Sequence, residues 1–63
     1  MCLSTVYKNE KTLDNVVMKN VMRLECKDGM VVITDLMERQ VAIQGRLAEA
    51  SLVDGIVLVV EEK

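Results

Sequence analysis

The sequence predicts an all-β fold, a small barrel of five to seven short antiparallel strands, and three observations carry that expectation. Two Asp-Gly pairs, Asp28-Gly29 and Asp54-Gly55, each stand between apolar-rich segments. A type I′ turn needs φ > 0 at both central residues, which makes such a pair a strong local hairpin signal. Before the first pair, Met22, Leu24 and Cys26 alternate with Arg23, Glu25 and Lys27, a period of two that sets the apolar residues on one face of a strand. After the second pair, Ile56 to Val60 is an unbroken run rich in β-branched residues, which favour strand over helix.

The elements follow in chain order. Leu3 to Tyr7 reads as a strand, with a turn near Asn9 to Lys11. Leu13, Val16, Val17, Val21 and Leu24 fit a helical stripe, but three valines lower helix propensity and the alternation after Met22 fits a strand better, so a short strand is expected around Val16 to Met18. With Asp28-Gly29 as a two-residue loop, Lys27 pairs with Met30, Cys26 with Val31 and Leu24 with Ile33. A turn at Glu38-Arg39 leads to strands at Gln40 to Gln44 and Leu47 to Val53, and Asp54-Gly55 predicts a second two-residue loop. Ile56 to Val60 is apolar on both faces, which requires cover on the second face.

Sixty-three residues make one domain, a size at which a single core barely outweighs chain entropy and a disulfide, a metal or a partner chain commonly supplements it. There are two cysteines and no histidine, hence no closed zinc cage, and self-association, a homodimer, is the expected supplement. A 51% hydrophobic, 29% charged composition argues against disorder, and the longest apolar run is too short to cross a bilayer as a helix. Met1 leads into no export pattern, and two unpatterned cysteines suit a reducing compartment, so a soluble, cytoplasmic protein with no membrane role is expected. A net charge of -2 and a sole aromatic, Tyr7, make nucleic acid an unfavourable partner.

Catalysis is not expected. Without histidine and with little volume, the chain has few ways to build an activated nucleophile or an acid–base pair in a cleft. Asp14, Asp28, Asp35, Glu38 and Asp54 fall mostly in expected turns, where Asp stabilises the bend through its own side chain. Cys26, inside an alternating strand, reads as a small buried hydrophobe. Cys2 has the most distinctive chemistry. Removal of Met1 would leave a free amine and a thiolate on one residue, able to close a five-membered chelate ring. With the deprotonated amide of Leu3 as a further nitrogen donor, the set suits planar nickel(II) or copper(II). Met1 retained, or Cys2 incidental, is the alternative. One chain supplies at most three such donors, so four protein donors require two amino termini brought together.

The start Met1-Cys2-Leu3 leading into Val6-Tyr7, then Val21, Leu24, Lys27-Asp28-Gly29, Val31 to Thr34, Leu36, Glu38 and Gly45, resembles the CooT family of small nickel-binding accessory proteins linked to carbon monoxide dehydrogenase maturation. The resemblance covers essentially the whole chain, and the Met-Cys start is its most specific part. It departs from the family pattern at Met37, where relatives often continue Leu36 with Phe-Gly. It implies a homodimer of SH3-like barrels with nickel(II) held near the dimer interface by Cys2, acting as a metallochaperone for a nickel enzyme such as carbon monoxide dehydrogenase. Two other readings stand beside it. One is an RNA-binding barrel with a basic surface of Lys8, Lys11, Lys19, Arg23 and Lys27. The other is a metal-independent interaction module that docks a partner through Val57, Leu58 and Val59.

Overall fold

The computed structural model describes residues 3–61. Five strands, β1 (Ser4–Lys8), β2 (Val16–Lys27), β3 (Met30–Asp35), β4 (Gln40–Ser51) and β5 (Ile56–Glu61), form one closed barrel in sequence order, with a single 3₁₀ turn at Leu13–Asn15 after β1. Four of the neighbouring pairs are antiparallel. The fifth corrects the expectation of a wholly antiparallel barrel: β5 closes on β1 in parallel, with Thr5 beside Ile56 and Lys8 beside Val59.

The first Asp-Gly pair behaves as its chemistry dictates. Asp28 and Gly29 take φ of 52° and 74°, and Lys27 pairs with Met30, Cys26 with Val31 and Leu24 with Ile33. The second pair does not form a two-residue loop. Ser51 is the residue that pairs with Ile56, so Leu52 to Gly55 make a four-residue connection. Gly55 alone of the two turns left-handed, at φ 70°. Its amide donates to the Ser51 carbonyl at 2.9 Å, and Ser51 Oγ lies 3.1 Å from Asp54 Oδ2. The expected strand from Leu47 to Val53 therefore ends two residues early.

Four of the expected short strands are two long ones. β2 and β4 each run for 12 residues and change partner midway. β2 pairs with β1 through Val16, Met18 and Val21, then with β3 from Val21 onward. β4 pairs with β3 through Gln44, then with β5 from Gly45. At the change in β2, Asn20 takes φ 56° and the ladder slips between Val21 and Arg23, one extra residue that bends a strand and re-aims its side chains. At the change in β4 stands Gly45, opposite Glu61. A Cβ there would collide with the Val60 carbonyl oxygen and approach Glu61 Cα to 2.9 Å, so only glycine lets β4 and β5 close.

The slip decides the core. Between Val21 and Leu24 lie three steps on β2 against two on β3, so Val21 joins the core while Met22 does not. The core is Val6, Val21, Val31, Ile33, Ile43, Val57 and Val59, with Val17, Met18 and Leu24 packed against it. Met22 is 45% exposed. Cys26, expected to be buried, is also exposed. Its partner Val31 is sealed, but Cys26 lies on a stretch of β2 that β1 no longer flanks, since β1 pairs only as far as Val21. β5 also differs from expectation. Val57 and Val59 are core residues, and Ile56, Leu58 and Val60 on its other face are half-buried within the chain itself.

Two glycine variants separate the two backbone constraints. Gly29 has open space around its missing Cβ, so Gly29→Ala costs only the left-handed backbone, about 1 kcal/mol. Gly45→Ala forces two strands apart and costs about 3 kcal/mol or more. Urea midpoints of the two variants check the order, which equal losses would contradict.

Candidate functional site

Cys2 lies outside the described residues. The surroundings of its neighbour are defined. Leu3 is half-buried, and its carbonyl crosses the last loop so closely that a Cβ on Gly55 would lie 3.2 Å from it. The Thr5 amide donates to the Gly55 carbonyl at 2.8 Å, and Ser4 pairs with Val21. The chain thus enters β1 between the bend of β2 and the β4–β5 loop. Both flanks are apolar and open to solvent, with Met22, Leu52 and Val53 exposed at 45%, 82% and 91%. Ser4, Leu24, Ala50 and Leu52 share one shallow depression at this corner. Large side chains left this exposed around one corner mark a surface suited to association.

A polar centre that the sequence pattern does not predict forms at the end of β3. Asp35, expected as a turn residue, closes β3 with its side chain only 2% exposed. Oδ1 accepts the amides of Met37 and Arg39, each at 2.9 Å, and Oδ2 accepts Arg39 Nε at 2.8 Å. Burial by itself would raise the carboxyl pKa. The Arg39 amide, the Arg39 guanidinium and the Met37 amide outweigh it and hold the group below the usual carboxylate range. The loop is further fixed by Asp35 N to Arg39 O at 3.0 Å, Glu38 N to Asp35 O at 2.9 Å and Leu36 N to Asn20 O at 2.9 Å. Glu38 takes φ 65°, so the expected turn at Glu38-Arg39 is present. The readable signal was Asp35 at a strand end with Arg39 four residues on. Three bonds to the carboxylate fix a loop that presents Leu36 and Met37 to solvent, 56% and 74% exposed.

The remaining candidates separate. Cys26 lies beside the Asp28-Gly29 turn and Gly45, in a groove at another part of the barrel from Ser4. Among the described residues no three His, Cys, Asp or Glu side chains gather as a metal cluster. Of the basic residues, Lys11 holds both carboxylate oxygens of Glu49 at 3.0 Å, and Lys8 lies 3.9 Å from Glu61, which breaks up the cationic surface an RNA-binding barrel needs. Val57 and Val59 are sealed in the core, so the docking stripe of Val57, Leu58 and Val59 is not available as a surface.

The family model of the CO dehydrogenase accessory protein CooT matches residues 1–60, and the chain belongs to the CooT family. It is similar in fold to a crystal structure assigned as CooT from Carboxydothermus hydrogenoformans, with a TM-score of 0.83 and 14% identity over 98% of this chain and 100% of that one. No curated protein matches the chain.

The Asp35 cluster makes stability depend on pH. A carboxyl whose pKa is depressed on folding contributes stability that is complete above the unfolded value of about 3.9 and is lost as pH falls through the folded value. The urea midpoint of the protein should therefore fall below about pH 4, and Asp35→Asn, less stable at neutral pH, should show a flatter profile there. Parallel profiles for the two proteins would mean that the carboxylate has no such role.

Proposed function

We propose that the chain binds nickel(II) as cargo through Cys2, one ion per homodimer, and passes it to a nickel enzyme. The observation that carries this reading is a cysteine at position 2 in a chain belonging to a family of CO dehydrogenase accessory proteins. With Met1 removed, the Cys2 amine and thiolate close a chelate ring, and the Leu3 amide nitrogen extends it. Strongly donating nitrogen with soft sulfur is a donor set for planar nickel(II), and copper(II) competes for it. Thiolate and amine must both lose protons to coordinate, so affinity rises with pH.

The donors of one chain branch from a single Cα and cannot fill a planar site, and a second amino terminus completes it. Two copies that bury Met22, Leu52 and Val53 against each other would bring the two chain entries together, which is the support the fold lends to a dimeric site. Donors on a chain terminus are exchanged one at a time, which suits delivery better than a closed cage.

A nickel titration tests this on protein whose amino terminus has been established by mass spectrometry. Saturation at one nickel per dimer with a thiolate-to-nickel charge-transfer band, both lost in Cys2→Ser with the far-ultraviolet spectrum unchanged, is the expected result; an unchanged affinity in Cys2→Ser sinks the proposal. Independently, Leu52→Asp should leave the barrel folded and shift sedimentation from dimer to monomer, whereas a persistent dimer would remove this corner as the interface.

A further inference from the structure

The partner change in β2 leaves a feature that the nickel reading does not use. β1 pairs with one side of Val16–Val21, and β3 takes up the other side only from Val21. Along residues 16–20 that second edge has no strand beside it among the described residues; its single backbone bond is the Asn20 carbonyl accepting Leu36 N at 2.9 Å. All five residues, Val16 through Asn20, line one groove of about 580 Å³, with Arg39, Gln40 and Val41 on the facing wall. The β1–β2 ladder slips twice along this stretch, between Tyr7 and Val6 and between Val6 and Ser4, and these slips break strict alternation so that five consecutive residues reach one concavity beside the unpaired edge. The second edge therefore offers unpaired main-chain groups along Val16–Lys19, about 13 Å of extended chain.

Its walls give the edge a chemistry. Val16, Val17 and Met18 are half-buried and Val41 is 37% exposed, an apolar lining beneath the edge. The exposed charges are Lys19 and Arg39, the latter 76% exposed. The one acid in the lining, Asp35, is 2% exposed and accepts three hydrogen bonds from its own loop. Asp35 and Arg39 offset each other as an ion pair, so in a chain of net charge -2 this groove carries a net positive charge, from Lys19, with the exposed Arg39 guanidinium beside it. The rigid Asp35 loop closes one end, and the Asn20 bend at φ 56° limits the free edge to a single short strand, a device that admits one added strand and stops open-ended stacking.

We propose that this groove binds an extended, acidic segment of a partner protein, which adds to the Val16–Asn20 edge as a further strand. Main-chain hydrogen bonds give such a complex its register, the apolar lining takes alternate side chains, and Lys19 and Arg39 take the acidic ones. The inference stands apart from the nickel site: Cys2 has no part in it, and loss of metal binding leaves it intact.

The test uses the full chain and a capped synthetic heptapeptide alternating glutamate and valine. Titration followed by amide chemical shifts should move residues 16–20 and 39–41 and slow amide exchange along the edge. The same peptide N-methylated at alternate residues on its pairing edge should bind at least about tenfold more weakly, because it has lost main-chain donors while keeping charge and side chains. Lys19→Glu should lose at least about tenfold for the acidic peptide and gain affinity for its lysine counterpart. Cys2→Ser should bind as the parent does. Equal binding of the N-methylated peptide, shifts confined to another face, or occupation of the edge by a second copy in the absence of peptide would each overturn the proposal.

Discussion

Everything in this barrel depends on two strands that each serve two neighbours. Sixty-three residues are too few to give every wall of a closed sheet its own strand, and β2 and β4 solve this by bending and changing partner at Val21 and Gly45. The two bends are made differently. At Gly45 the Val60 carbonyl occupies the space of a side chain; near Val21 an extra residue and a left-handed Asn20 turn the chain. The seven core side chains come from all four longer strands and β1, so the core forms only when both bends are in place.

The same economy creates the surface. Where a bent strand has left one neighbour and joined another, one of its edges has no partner, and the side chains near the bend lack a second layer. Met22 is exposed by the slip that buries Val21, and it stands beside the entry of the chain into β1. The free edge of Val16–Asn20 arises at the same bend, on the side that faces Arg39 and Gln40. The corner near the amino terminus is apolar, whereas the groove along the edge is apolar with cationic walls, so one bend yields two surfaces of different chemistry.

Local chemistry made much of this legible, and closure made the rest illegible. Asp28-Gly29 fixed its hairpin to the residue because both turn positions need φ > 0 and nothing distant interferes. Asp54-Gly55 carried the same local signal, but Ser51 pairs with Ile56 and Asp54 is drawn to Ser51, so the loop holds four residues. Each bent strand read as two because its pattern breaks at the bend, and a break in pattern looks the same whether the chain turns back or continues. Cys26 alternated like a core residue and sits opposite one, yet is exposed because the strand that would cover it stops at Ser4. Asp35 has the turn position its residue type predicts, but its carboxylate also organises Met37 and Arg39. For the proposed metal site, the donor chemistry of Cys2 and Leu3 is legible in the sequence, while the apolar corner beside Leu3 depends on the slip in β2.

The parallel pairing of β1 with β5 has a mechanical consequence. The strands nearest the two chain ends run side by side in the same direction, so a force drawing the ends apart slides one along the other and loads their hydrogen bonds together instead of peeling them one by one. Tension applied through the termini meets the barrel at the seam that closes it, in the geometry where a short ladder resists shear best.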